Sequence, residues 1–342
     1  MKESDLWPVL RHYWHPIALS AELGDGPIAV TLLDERIAVC RLAGRVRAFQ
    51  DLCIHRGTPI SMGWVEGENL VCAYHGWAYG EDGRCVRIPS VPAAHPIPKK
   101  ACLKSFQARE KYGLVWVCLS ETPRAPIPQC PEYDDPSYRP FLFQRKIWKG
   151  SAARVMENFL DQSHFAWVHE GILGDRSDTL APEMDLNRNG EEFVCGFENV
   201  PTPIAPFPHR QTYRVNLPFT CHMSKAEHDG RTKVLFVLGL PHSARLSTRF
   251  LIGIRNYDLE TNDIIHGPII VTDDDVKAEV LDETVREVVR NHETVFEQDL
   301  VIVERQRPEE LPLDLTEELH VKTPDAAAIE YRRMLKGIGV DP

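Results

Sequence analysis

Residues 51–80 read DLCIHRGTPISMGWVEGENLVCAYHGWAYG, and the two halves of this stretch match, each offering one thiol and one imidazole. Cys53 and His55 are separated by one residue, Cys72 and His75 by two, and sixteen residues lie between the pairs. Two short loops of this kind can close on one metal group from opposite sides. A zinc ribbon is the plain alternative, yet zinc knuckles usually take both thiolates from one loop and the remaining ligands from the other. Here each loop is mixed, which suits a group with two metal atoms.

If the cysteines converge on one iron and the histidines on the other, each loop straddles a 2Fe-2S cluster, the two-histidine, two-cysteine ligation of a Rieske centre. Gly57, Pro59, Gly63, Gly76 and Gly80 supply sharp turns and let backbone N–H groups approach the sulfides. Neutral imidazoles in place of two thiolates raise the potential to roughly −150 to +300 mV. Such a centre takes electrons from a ferredoxin or a flavin reductase and passes them on.

The 342 residues, 43% hydrophobic and 26% charged, are enough for two domains with sizeable cores and give no sign of disorder. A net charge of −11 argues against nucleic acid and against anionic membrane as partners, because phosphate binding needs clustered Lys and Arg. Nine cysteines, an odd number, are scattered singly; the seven outside the loops, such as Cys118 in VWVCL, read as reduced, buried thiols of a cytoplasmic protein. The opening MKESDLWPVLRHYWHPIAL carries charges and a proline within its apolar portion, so neither a signal peptide nor a membrane span is expected there.

Working outward, residues 1–120 are strand-rich, with runs at 28–33, 37–42, 47–51, 86–88 and 113–119 punctuated by Gly and Pro. A small antiparallel β domain is expected. Residues 121–140, beginning ETPRAPIPQCPEYDDPSY, are proline-rich and acidic, as a linker is. From 141 to 342 the pattern becomes an α/β mixture, giving an α+β protein. A helix is expected over 151–169, strands over 192–197, 211–216, 233–239 and 249–255, and a long helix over 273–306. A last short helix has Thr323 as its cap, Pro324 in its first turn and Gly337 after its end.

The segment MENFLDQSHFAWVHEG, 156–171, is the next richest in ligands: Asn158, Asp161, His164 and His169. His164 and His169 are five apart, about 140° on a regular helix, so they share one ion only where the helix widens by a π-bulge or ends between them. On the 273–306 helix, Asp299 shares the apolar stripe of Val295, Phe296, Ile302 and Val303, and an ionised carboxylate on a core face must be paired or bind metal. A salt bridge to another segment is the bland alternative. Glu297 and Glu304 lie off the stripe and are expected in solvent. Two imidazoles and a carboxylate make the facial triad of non-haem Fe(II) oxygenases, which leaves positions open for O2; His164, His169 and Asp299 are the candidate ligands.

Over essentially its full length the chain resembles the Rieske non-haem iron oxygenases. The resemblance rests on C-x-H-R…C-x-x-H-G-W, then N-x-x-D-x-x-H-x-x-x-x-H, then a distant helix acid. Within that family it is similar to the vanillate and dicamba O-demethylases and above all to the methylxanthine N-demethylases, through LRHYWHP (10–16), CAYHGWAYGEDGRC (72–85), ENFLDQSHFAWVH (157–169) and FEQDLVIVERQRP (296–308). The resemblance implies a Rieske domain followed by a helix-grip catalytic domain, assembled as a head-to-tail homotrimer. It implies that Asp161 bridges His75 of one subunit to His164 of the next, and Asn158 stands beside it as a second candidate catalytic residue. It implies an enzyme that activates O2 at Fe(II) with electrons from a separate NAD(P)H-dependent reductase; the chain shows no G-x-G-x-x-G opening a helix and no plant-type ferredoxin cysteine run of its own.

Hydroxylation of an N-methyl or O-methyl group on a small aromatic or heterocyclic substrate would release formaldehyde, whereas attack on a ring edge would give a cis-diol or a ring hydroxyl, the alternative reading. A Rieske electron carrier without a second iron, and a colourless zinc-stabilised binding module, are the readings from other classes. The substrate pocket is expected among strands and loops of 194–255, with Pro201 to Pro208, Phe219, Thr220 and His222 as lid and wall. Arg210 is either a receptor for a substrate carboxylate or a surface ion pair.

Overall fold

Along His209–Asn216 every second side chain (His209, Gln211, Tyr213, Val215) is buried and those between are half-buried, the period-two pattern of a strand with one face on a core. The computed structural model describes residues 1–199, 209–227, 230–256, 270–271 and 283–340. The chain forms two compact units, one of residues 8–127 and one of residues 1–7 with 128–342.

After the single turn α1 (Trp7–Leu10), the smaller unit is built from β1 (His15–Leu19), β2 (Ile28–Leu32), β3 (Glu35–Leu42), β4 (Arg45–Gln50), β5 (Trp64–Glu66), β6 (Asn69–Val71), β7 (Ala78–Tyr79), β8 (Cys85–Arg87), β9 (Ser105–Lys111) and β10 (Leu114–Cys118). Six of these make an antiparallel sheet in the order β1-β10-β9-β4-β3-β2, and the other four a second sheet, β5-β6-β7-β8. Ala38, Cys40 and Leu42 of β3 and Phe49 of β4 pack against Ile60, Leu70 and Tyr79, so one core supports both cysteine–histidine loops. Where the loops meet β6 the backbones nearly touch: a Cβ on Gly63 would sit 1.8 Å from the Val71 carbonyl oxygen, which leaves room for glycine alone. Strands β1 and β9 gave no signal in the sequence. Pro16 interrupts the first, and SFQAREK in the second keeps one polar face.

The larger unit contains α2 (Pro131–Asp134), β11 (Arg139–Trp148), α3 (Ala152–Leu160), α4 (Phe165–Val168), β12 (Asp185–Asn189), β13 (Glu192–Asn199), β14 (His209–Asn216), β15 (Thr220–Glu227), β16 (Thr232–Ser243), β17 (Leu246–Arg255), β18 (Ile270–Val271), α5 (Glu283–Val303) and α6 (Ala326–Val340). Its eight described strands run β12-β13-β14-β15-β16-β17-β11-β18, antiparallel except for the last pair. Helix α3 packs on β16 and β17 and meets both α5 and α6. Trp148, Val155, Leu300 and Val303 fill the α3–α5 contact.

Several elements differ from expectation. The helix expected over 151–169 is two: α3 starts at Ser151, whose hydroxyl accepts from the Arg154 N–H at 3.4 Å, and it ends at Leu160, with Asp161 in an extended conformation. The linker stretch holds the turn of α2, and β11 begins at Arg139. Gly337 lies inside α6, where a Cβ would meet open space. Of the 273–306 helix, 283–303 is seen, and 273–282 fall outside the described residues. Ile302, expected on the buried stripe, is 46% exposed, because among the described side chains of α5 the buried ones are Phe296, Asp299 and Val303.

Candidate metal centres

The two loops of the smaller unit close in the same way. Gly57 N–H donates to the Cys53 carbonyl at 2.9 Å and Gly76 N–H to the Cys72 carbonyl at 3.0 Å. Cys53 N–H in turn donates to the Thr58 carbonyl at 2.8 Å and Cys72 N–H to that of Trp77 at 2.9 Å. Both turns need a residue at positive φ, and Gly57 (+72°) and Gly76 (+68°) supply it. Cys53 and Cys72 are buried while His55 is half-buried and His75 exposed.

The two thiols neighbour each other, and the Tyr79 hydroxyl lies 3.1 Å from the Cys53 sulfur. The two imidazoles also neighbour each other, with ring centres 4.6 Å apart, and His55 stacks on Trp77 at 4.4 Å. Among the described residues, sets of three or more donors gathered within 4.8 Å of one another occur at Cys130, Glu132 and His222 and at His164, His169 and Asp299, but not at these four. Sulfur beside sulfur and ring beside ring, without all four around one point, fits a two-iron cluster better than a single tetrahedral ion. The buried Nδ1 of His55 has no hydrogen-bond partner, as an atom reserved for a metal would have none.

In the larger unit the end of α3 solves the spacing problem of the histidines. The chain turns at 161–164, and α4 carries His169 back so that the two Nε2 atoms are 3.2 Å apart. From α5, Oδ1 of Asp299 comes within 3.3 Å of His164 Nε2 and 3.0 Å of His169 Nε2. Each ring is held by its other nitrogen: His164 Nδ1–H donates to Asp161 at 3.0 Å and His169 Nδ1–H to Gln298 at 2.8 Å. Both Nε2 lone pairs then face one carboxylate oxygen, and three acceptors this close repel one another unless a cation lies among them.

Burial opposes charge on His164, but hydrogen bonds to Asp161 and Asp299 outweigh it and raise the imidazole to about 9. Burial acts to raise Asp299, and His164 and His169 outweigh that effect, holding the carboxyl well below its ordinary range. Asn158 Nδ2 donates to Asp299 at 3.3 Å.

Sequence reasoning missed two supports of this site. Gln298 is one, and Gln298→Ala is expected to weaken Fe(II) binding roughly 10–100-fold; competition with a coloured chelator would read this, and unchanged affinity would show that the amide does not orient the His169 ring. Arg249 is the other. Its buried guanidinium lies between Trp148 (4.7 Å) and Phe296 (3.7 Å), and Asp299 favours its charge while burial pushes it down to about 10. Gln298 is revealed only by α5 meeting His169, and Arg249 only by β17 meeting Phe296 of α5.

An apolar cavity opens on one side of His164, His169 and Asp299, with Phe159, Phe165, Met223, Leu235, Val295 and Phe296 in its described walls. A second depression, on the far side of His164 and Asp299, includes Asp161, Glu157 and Arg332. Phe219 and Thr220 are buried away from the cavity, and His222 pairs with Glu132 at 2.9 Å. Arg210 is a half-buried partner of Asp185 and Glu198, and Pro201 to Pro208 fall outside the described residues.

Comparison with known proteins matches residues 13–107 to the Rieske 2Fe-2S domain and residues 148–339 to the vanillate O-demethylase oxygenase C-terminal domain. The methylxanthine N1-demethylase NdmA of Pseudomonas putida is 31% identical over 96% of this chain and 88% of its own length. The methylxanthine N3-demethylase NdmB of the same organism is 35% identical over 73% of the chain and 74% of its own. The structure of NdmA with caffeine superposes with a TM-score of 0.82 at 30% identity, covering 98% of this chain and 93% of that one. Dicamba monooxygenase bound to dicamba, at 20% identity, shares the fold with a TM-score of 0.77 over 97% of the chain and 98% of its own.

Proposed function

The chain belongs to the Rieske non-haem iron oxygenases, and from that premise we propose that it removes a methyl group from nitrogen or oxygen of a small aromatic or heterocyclic substrate, releasing formaldehyde. The observation that carries this reading is the convergence of His164, His169 and Asp299 beside an apolar cavity. Cys53, His55, Cys72 and His75 would hold the 2Fe-2S cluster, and His164, His169 and Asp299 the mononuclear iron. Together, when bound, these groups supply single electrons and reductive activation of O2.

The protein's own residues do the positioning. Asp161 and Gln298 orient the two imidazoles, Asn158 steadies the carboxylate, and Phe159, Phe165 and Phe296 keep bulk water from the methyl group. A hydroxylated methyl on nitrogen or oxygen is a hemiaminal or hemiacetal, which falls apart to formaldehyde without further help.

Electrons would enter at the outward imidazole edge, where Ile54 (50%) and Tyr74 (64%) expose apolar surface. We infer a separate NAD(P)H-dependent reductase as donor, a homotrimeric assembly and a cytoplasmic setting; no described helix is long and apolar enough to cross a membrane. In such a trimer Asp161, whose side chain is 34% exposed while it holds His164, would link His75 of the neighbouring copy to the iron ligand. Asp161→Asn is expected to leave both metals bound and slow single-turnover electron transfer roughly 10–100-fold. Full retained activity would defeat the bridging role.

The decisive experiment is a single-turnover assay. The protein is reduced chemically, the reductant removed, and O2 added with a panel of N-methyl, O-methyl and unsubstituted aromatic compounds, with products read by mass spectrometry. Formaldehyde with a demethylated product supports the proposal, whereas a diol or ring hydroxyl without formaldehyde places the chain among ring hydroxylases.

A further inference from the structure

Cys130 immediately precedes the turn α2, Glu132 lies within it, and His222 stands on β15 in the same compact unit. Successive residues of a strand point to opposite faces, and Met223, the neighbour of His222, lines the cavity beside the histidines. His222 therefore faces away from that cavity, on the side of the sheet where α2 lies. Glu132 Oε2 is 2.9 Å from His222 Nε2 and 3.8 Å from the Cys130 sulfur, and the three donor atoms all lie within 4.8 Å of one another. Cys130 and His222 are buried and Glu132 is half-buried.

A zinc ion held at about 2.0 Å by nitrogen and oxygen and about 2.3 Å by sulfur, at tetrahedral angles, sets its ligand atoms roughly 3.3–3.5 Å apart. The observed 2.9 and 3.8 Å bracket that spacing, so small side-chain shifts admit the ion. Thiolate, imidazole and carboxylate together suit zinc, whereas magnesium and calcium take oxygen ligands. The triad of His164, His169 and Asp299 contains no sulfur, so the two sites differ in the metal each prefers. Burial acts to raise Glu132, and His222 outweighs it, keeping the carboxyl lowered. Arg214, opposite His222 on β14, adds a smaller effect of the same sign. Burial, then Glu132, push the Cys130 thiol up, so a thiolate there needs a cation beside it, and binding one sends the thiol proton to solvent. Glu132 is the outward ligand, its side chain 21% exposed, and a water can complete the tetrahedron from that side.

We propose that Cys130, Glu132 and His222 form a zinc site, separate in place and in ligand chemistry from the two candidate iron centres. The ion would tie α2, which leads into β11, to the inner strand β15 on the face of the sheet away from the cavity. The proposal does not depend on which reaction the iron site performs.

The test uses the full chain carrying its 2Fe-2S cluster and mononuclear iron. Zinc is added in slight excess, loose metal is removed by gel filtration, and the zinc X-ray absorption edge, which is blind to iron, is recorded with the zinc content. About one zinc per chain is expected, with one sulfur at about 2.3 Å and nitrogen or oxygen in the remaining positions. Cys130→Ala should remove the sulfur, and either Cys130→Ala or His222→Gln should weaken zinc binding tenfold or more in competition with a coloured chelator. No zinc retained would mean that His222 and Glu132 are only an ion pair beside a thiol. Zinc without sulfur would place it at His164, His169 and Asp299, and zinc with two sulfurs at the loops of Cys53 and Cys72. Each of these outcomes, or a sulfur signal unchanged in Cys130→Ala, would overturn the proposal. Should the variants fail to fold, the sulfur count in the unaltered protein decides alone.

Discussion

Asp299→Ala is expected to yield a protein that keeps its 2Fe-2S absorption but holds no mononuclear iron and makes no product. Without the carboxylate, two imidazoles 3.2 Å apart remain, and two neutral donors do not hold Fe(II) against dilution as a facial set of three does. The loss should exceed the roughly 10–100-fold that removing an outer-sphere partner costs. Iron per chain and single-turnover product give the readout, with visible absorbance as the control that the cluster loops are intact. Iron and turnover surviving the substitution would mean that Asp299 merely satisfies the histidines and Arg249, and that the ion lies elsewhere.

The second large effect is on stability. Arg332 of α6 is 2% exposed and donates through Nε and Nη2 to Glu157 of α3 at 2.5 and 2.7 Å, to Glu318 at 2.5 Å, and to the Pro312 carbonyl at 3.0 Å. Arg154 joins the network through Glu318 at 2.7 Å. Burial opposes the charge on Glu318, and Arg154 and Arg332 outweigh it, keeping the carboxyl lowered. Arg332→Met therefore leaves two half-buried carboxylates with one cation between them. It is expected to cost about 3–5 kcal/mol, a drop of roughly 6–20 °C in the melting of the larger unit. Lys at the position should not rescue, since one ammonium cannot make the two-pronged contact with Glu157. Adding Glu157→Gln and Glu318→Gln to Arg332→Met should recover most of the loss. A fall below about 1 kcal/mol would show that solvent screens the network. The consequence reaches the candidate iron site, because Glu157 immediately precedes Asn158 on α3, the helix that leads into Asp161 and His164.

The larger unit illustrates how far local pattern reaches. Strand β14 was legible from its alternation, but β15 was not, since TCHMSKAE carries polar residues on both faces and reads as a loop until β14 and β16 flank it. The break between α3 and α4 was foreseen only as one of two options. Nothing within ENFLDQSH announces that the helix stops at Leu160; the turn is held by Asp161 accepting from Ser163 N–H and His164 Nδ1–H. The burial of Ile302 was misjudged because periodicity locates a stripe without telling which flank the neighbouring helix covers.

Ligand chemistry was determined by the sequence alone. Mixed cysteine–histidine loops, two histidines five apart and an acid on an apolar stripe single out both candidate metal sites through residue type and spacing, which are local properties. Tertiary structure decided everything that depends on pairing between distant segments. Gln298 acquires its role because α5 comes up against His169 at the end of α4, Arg249 because it reaches Phe296 of α5 from β17, and Lys225 becomes the neighbour of Lys233 only through the register of β15 and β16. A cation's meaning depends on which charge faces it, and that is set by sheet register and helix packing, non-local quantities absent from any window of sequence.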